Sequence, residues 1–201
     1  MPRAGLTPAL VAEEAARLSD EEGFDALSLA GVAKRLGVAT PSLYKHVDGL
    51  AGLRREVALL GANALGGELQ RAAVGRSGPD ALRVTAQAYR RYAHAHPGRY
   101  TALQQLPRLA RARVELSPDP VRVLAAVLRG FGIPEEQLVH AIRTLRSGLH
   151  GFVDLETKGG FGLPDDVDET FTLLLEGFAR AYERWPSAAP AGTPPHDRRH
   201  D

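Results

Sequence analysis

The stretch "LSLAGVAKRLGVATPSLYKHVDGL", residues 27–50, decides the fold. Ser28 is a helix-capping residue type, with Leu27 and Val32 at staple positions around it. Apolar residues then recur at helical spacing up to Gly37, which can take a positive φ and turn the chain sharply. Thr40-Pro41 repeats the starting signal, so the pattern predicts a further helix from there to about Val47. Ala33 is small where the two helices would cross, and Val32, Leu36, Val38 and Leu43 are spaced to fill the gap between them. Two short helices joined by a tight turn, the second carrying Tyr44, Lys45 and His46 together, outline a helix-turn-helix.

In such a motif the start of the second helix meets the major groove. The outward face there holds Ala39, Thr40, Pro41, Ser42, Lys45 and His46. Thr40 and Ser42 offer hydroxyls for base edges or phosphates, while Ala39 and Pro41 can touch a thymine methyl. Tyr44, Lys45 and His46 are better suited to phosphates, which set affinity and register but carry little sequence information. The free N–H groups at the helix starts near Ser28 and Asp48 are further phosphate positions, although the Asp48 carboxylate opposes this. Charge supports the motif. The formal net charge is only +1. Residues 28–55, however, carry five cations against Asp48 alone, whereas residues 1–27 carry two against six acids. A polyanion feels that local sign.

Outward from the motif the chain reads as helices throughout. Thr7-Pro8 starts a first helix that Gly23 ends. Asp48 can cap a long helix to about Ala73, in which Gly61, Gly66 and Gly67 predict a kink or early stop. "GRSGPDA", residues 75–81, is a clear break, so the expected division is residues 1–50, a connecting 51–78, and a second helical domain at 79–185. A helix should end before Pro97, and Ser117-Pro118 should open another. Two long striped helices follow, marked by Leu138, Ile142, Leu145, Leu149 and Phe152, then by Val167, Phe171, Leu174, Phe178, Tyr182 and Trp185. The glycine-rich loop between them lacks the context of a phosphate cradle. The tail at 186–201 cannot bury apolar surface and is expected to be disordered.

The stretch around "LSLAGVAKRLGVATPSLYKHVDGLAGLRREV" resembles the DNA-binding domain of the tetracycline-repressor (TetR) family, with the signature Leu43-Tyr44-Lys45-His46-Val47. The resemblance implies an all-α homodimer that binds a double-stranded DNA operator, with a variable C-terminal domain for a small-molecule effector and for dimerisation. It implies repression relieved by that effector, with the long helix from Asp48 as the transmission element. Family members usually carry a Lys shortly after the signature. This chain has Leu50 there, and Arg54 or Arg55 are its partial substitutes. Leu149-His150-Gly151 resembles the Trp-His-Gly motif of a subgroup, with the Trp replaced.

Segments that wall the effector pocket in such proteins here hold Tyr89, Tyr92, Tyr100, Gln104 and Arg108, joined by His150 on the first of the two long helices. These are the candidate ligand residues for a largely apolar effector. Packing with a satisfied hydroxyl accounts for each tyrosine equally well. The two long stripes suit a four-helix dimer interface or the monomer's own core, and the resemblance favours a homodimer through these two helices. His94-x-His96 has no third ligand at helical spacing, so no metal is expected and the pair reads as a helix C-terminus. No catalytic constellation, cofactor motif or membrane-length apolar run occurs, and cysteine is absent. The expectation is a cytoplasmic regulator and not an enzyme. The alternative is a small-molecule-binding protein of the same fold that has lost specific DNA binding.

Overall fold

The computed structural model describes residues 5–109 and 116–186, the side chains of 106–109 excepted. Among the described residues eight α-helices run α1 Pro8–Glu22, α2 Leu29–Leu36, α3 Gly49–Ala73, α4 Gly78–Ala95, α5 Pro97–Leu109, α6 Pro120–Arg129, α7 Leu138–Thr157 and α8 Val167–Glu183. Short 3₁₀ segments lie at Phe24–Ala26, Thr40–Lys45 and Glu135–Gln137, and no strand occurs among the described residues. The all-α expectation holds.

The helix starts follow local chemistry. Thr7 Oγ1 accepts the Leu10 N–H at 3.2 Å, and Ser28 Oγ accepts the Gly31 N–H at 3.1 Å. Each such cap contributes about 1 kcal/mol. Gly37, at φ 66° and ψ 33°, ends α2 in the left-handed region. Its N–H donates to Lys34 C=O and the Val38 N–H to Ala33 C=O, so two carbonyls at the helix end are satisfied while the chain reverses.

The next element differs from its prediction. Thr40-Pro41 does not start an α-helix to Val47. Residues Thr40–Lys45 form a 3₁₀ segment in which Ala39 holds the capping position and no side chain caps it. The Ser42 N–H bonds to Ala39 C=O, so backbone and not the Thr40 hydroxyl begins the turn. Leu43, 0% exposed, pins the segment to the core beneath, and that anchor outweighs the poorer hydrogen-bond geometry of the tighter winding. Asp48 precedes α3, but its side chain accepts no capping bond.

Two cores lie end to end. The first gathers Val11, Leu18, Phe24, Val32, Leu43, Leu53 and Val57; the second runs from Ala62 and Leu65 through α4–α8 to Tyr182. Helix α3 is unbroken and belongs to both, so the changeover falls inside it, between Ala58 and Ala62. Its glycines do not end it early. A Cβ on Gly61 would lie 2.7 Å from the Arg99 carbonyl, and one on Gly66 2.0 Å from that of Pro118. They are sites of close backbone approach. Helix α6 starts at Pro120 behind the cap Asp119, two residues later than the Ser117-Pro118 signal suggests.

The stripes of the last two helices are largely spent on the chain's own core. Leu138, Leu145, Leu149 and Phe152 of α7 and Phe171, Leu175 and Tyr182 of α8 are buried there. Gly148 admits the ring of Phe178, whose nearest atom would stand 2.3 Å from an added Cβ. A different face of α7 and α8 remains outside. It carries Ser147, Gly151 and Leu155 on α7, and Leu173, Gly177 and Ala181 on α8.

Candidate nucleic-acid interface and effector site

All the side chains expected to meet DNA are at least partly exposed. Ser28, Ala39, Pro41, Tyr44 and Lys45 are exposed, Tyr44 by 60%, and Thr40, Ser42 and His46 are half-buried. Leu43 and Val47 face inward between them, so the segment presents its polar edge as a fixed unit.

The basic window is less basic in space than in sequence. Arg35 is bound to Glu14 and Glu21 of α1. The Arg54 guanidinium turns inward, 5.5 Å over the Phe24 ring and 3.3 Å from the Asp25 carbonyl. Arg54 is therefore braced against the first core. Lys34, Lys45 and the exposed Arg55 carry no ion pair among the described residues. Leu50 is half-buried against the first core, and Asp48 is exposed.

Of the residues nominated for a ligand, four come together between α4, α5 and α7. The Tyr89 and Tyr100 hydroxyls are 3.0 Å apart, and the Tyr100 hydroxyl is 2.6 Å from His150 Nδ1. Gln104 Nε2 points at the Tyr89 hydroxyl at 3.4 Å, and Arg146 donates to Gln104 Oε1 at 3.1 Å. Burial pushes both tyrosine hydroxyls above their usual range and the His150 imidazole below its own. Tyr92 is not part of this cluster. Its hydroxyl donates to the Gly61 carbonyl at 3.0 Å and fastens α4 to α3. The Arg108 side chain lies outside the described residues. Arg146 is not marked by any motif, and its one sequence signal is its place four residues before His150, which puts both on one helix face.

Two ion-pair clusters join the elements. Asp20, at the end of α1, accepts the Arg99 backbone N–H at 2.9 Å near the start of α5. The Arg99 Nε and His96 Nδ1 lie 3.0 Å and 3.4 Å from its other oxygen. A Cβ on Gly98 would stand 2.0 Å from the Ser19 carbonyl, so only glycine permits this contact. In the second cluster Arg90 binds Glu156 through two nitrogens and reaches Asp168 at 2.7 Å, while His94 Nε2 is 2.8 Å from Glu156. The Arg90 hydrogen bond, and then that of His94, holds the Glu156 carboxyl below the usual range. The two histidines thus serve separate acids, and no metal-like group of three ligands exists among the described residues. Residues 79 and 62 positions apart meet here, a separation that leaves no local pattern to read.

Residues 11–57 match the model described as "Bacterial regulatory proteins, tetR family", and residues 82–178 match "Tetracyclin repressor-like, C-terminal domain". The chain is 38% identical over 183 residues to an HTH-type transcriptional regulator of Mycobacterium tuberculosis, covering 87% of this chain and 80% of the relative. It is 34% identical over 180 residues to the HTH-type transcriptional regulator YobS of Bacillus subtilis, covering 88% and 93%. In architecture it is similar to a TetR variant from Acinetobacter baumannii solved in complex with minocycline, with a TM-score of 0.66, 22% identity and coverage of 92% and 100%. No helix among the described residues is long and apolar enough to cross a membrane.

Proposed function

Since the chain belongs to the TetR family, a family of DNA-binding transcriptional regulators and not of enzymes, we propose that it is a homodimeric repressor released from a palindromic operator by a small molecule. The observation that carries this reading is the outward presentation of residues 39–46 by the Gly37 turn and the buried Leu43. Thr40 and Ser42 read bases; Tyr44, Lys45, His46 and the α2 start at Ser28 grip phosphates. Residues 1–50 act as the DNA-binding domain and 79–185 as the effector and dimerisation domain, joined through 51–78.

Dimerisation uses the outward face of α7 and α8, where Gly151 and Gly177 leave room for a second copy's helices and Leu155 and Leu173 supply apolar contact. That pairing sets two recognition segments about one DNA turn or more apart, on two half-sites. The effector site is the Tyr89–Tyr100–His150 cluster. Helix α5 joins it to the DNA-binding core directly, because Arg99 binds Asp20 of α1 and the next residue, Tyr100, binds His150. An effector that binds better when Tyr100 is displaced therefore also favours a different seat for α1, which is what a shift between two states requires.

The inward turn of Arg54 and the exposed Asp48 carboxylate favour the alternative, an effector-binding protein without specific DNA affinity. Fluorescence anisotropy with DNA from around the protein's own gene separates the two. Tight binding lost on scrambling the site supports the repressor; no binding at low salt leaves only the alternative.

A further inference from the structure

The hydrogen bonds from Arg146 to His150 run in one direction. A guanidinium only donates, so the Arg146 bond fixes the Gln104 amide with its oxygen toward Arg146 and its NH2 toward Tyr89. Tyr89 accepts that bond, and at 3% exposure its own hydrogen needs an acceptor inside the fold, which is the Tyr100 oxygen. Tyr100 in turn donates to His150 Nδ1 at 2.6 Å. The imidazole proton therefore sits on Nε2 and points away from Tyr100. Burial, which disfavours the charged imidazole, agrees with this neutral tautomer.

The chain starts and ends on α7, one helical turn apart, and both ends are donors. Arg146 keeps further N–H groups beyond the one given to Gln104, and no described residue accepts from His150 Nε2. Arg90 and Arg99, half-buried like Arg146, have carboxylate partners at Glu156, Asp168 and Asp20. Arg54 rests on an aromatic face. Among the described residues Arg146 has a single neutral amide as its polar partner. Asp154, one turn beyond His150, is already bound to Lys158 at 2.8 Å. A half-buried cation beside a second donor is complementary to an oxyanion, and the planar fork of arginine matches a carboxylate. Behind these donors Tyr89 and Tyr100 pack edge to face within the core, which holds the hydrogen-bonded chain in place.

We propose that Arg146 and His150 Nε2–H bind the carboxylate of an organic acid, and that this acid is the class of effector the chain senses. The inference rests on the regulator reading and specifies its ligand. An acid seated there takes the remaining N–H groups of Arg146 and the His150 Nε2–H, and so acts on both ends of the chain that holds Tyr100 and α5.

Isothermal titration of the full-length protein with two matched sets tests this: octanoate, octanamide and octylamine, and 2-naphthoate with 2-naphthamide. The acids should bind about 10-fold or more tightly than their amides, a difference of about 1.4 kcal/mol. Arg146→Gln should erase that preference while keeping its fold by circular dichroism, and Arg146→Lys should retain part of it. An amide or amine binding as tightly as its acid overturns the proposal, as does a preference that survives Arg146→Gln or the failure of both acids to bind. Operator anisotropy on the same samples separates the two levels of inference. DNA released by octylamine keeps the regulator and sinks the carboxylate; acid binding without any operator binding does the reverse.

Discussion

Lys45 stands exposed on the recognition segment with no ion pair among the described residues, so its charge is available to a phosphate. Lys45→Ala should weaken binding to all DNA sequences alike and lower the slope of log affinity against log salt by about 1. Anisotropy titrations at several salt concentrations measure this, and an unchanged slope would contradict the phosphate role. Which residues face outward at 39–46 is readable in the sequence, because Leu43 is the large aliphatic member of that stretch and must point inward. Which cations stay free was not. Arg35 and Arg54 look identical to Arg55 in sequence, and differ only because Glu14, Glu21 and Phe24 come to meet them.

The starts of α1 and α2 and the Gly37 turn were set locally, since caps and positive-φ glycines act within a few residues. Contacts between elements were not. Gly98 illustrates this: nothing around it in sequence marks it, yet it lies against the Ser19 backbone. Gly98→Ala must push α5 off α1 and should cost about 1–3 kcal/mol, seen as a lower urea midpoint. An unshifted midpoint would mean that the two helices separate freely. The Arg90–Glu156–Asp168 cluster ties α4 to α7 and α8 in the same non-local way. With the Glu156 carboxyl held below its unfolded value, the native state binds fewer protons there. Its stabilising contribution is complete above the ordinary carboxylate pKa of about 4.3 and is lost as the pH falls through the depressed folded value. Arg90→Gln removes the main cause. Its melting temperature should therefore drop less than the parent's between about pH 5 and about pH 3, and parallel curves would assign the acid sensitivity to other carboxylates.

At the scale of the whole molecule, the outward face of α7 and α8 is tested by Leu173→Asp. Leu173 is 56% exposed, so the monomer should tolerate the change, whereas a dimer would have to bury the new carboxylate unpaired. Sedimentation should then report a monomer, with operator affinity reduced about 100-fold or more through the loss of paired half-sites. A variant that sediments as the parent does would place the dimer contact elsewhere. The amino-acid sequence by itself determined the all-helical class, the order of the elements, the helix-turn-helix and the family, because periodicity, caps and the Leu43–Val47 signature are short-range signals. The tertiary structure alone decided that Thr40–Lys45 winds as a 3₁₀ segment, that α3 belongs to both cores, and that the stripes of α7 and α8 close the monomer. It alone drew Tyr89, Tyr100, Gln104, Arg146 and His150 into one hydrogen-bonded chain while sending Tyr92 to Gly61. These outcomes depend on which helices pack side by side, and packing partners many tens of residues apart are selected by shape and burial, which no local spacing encodes.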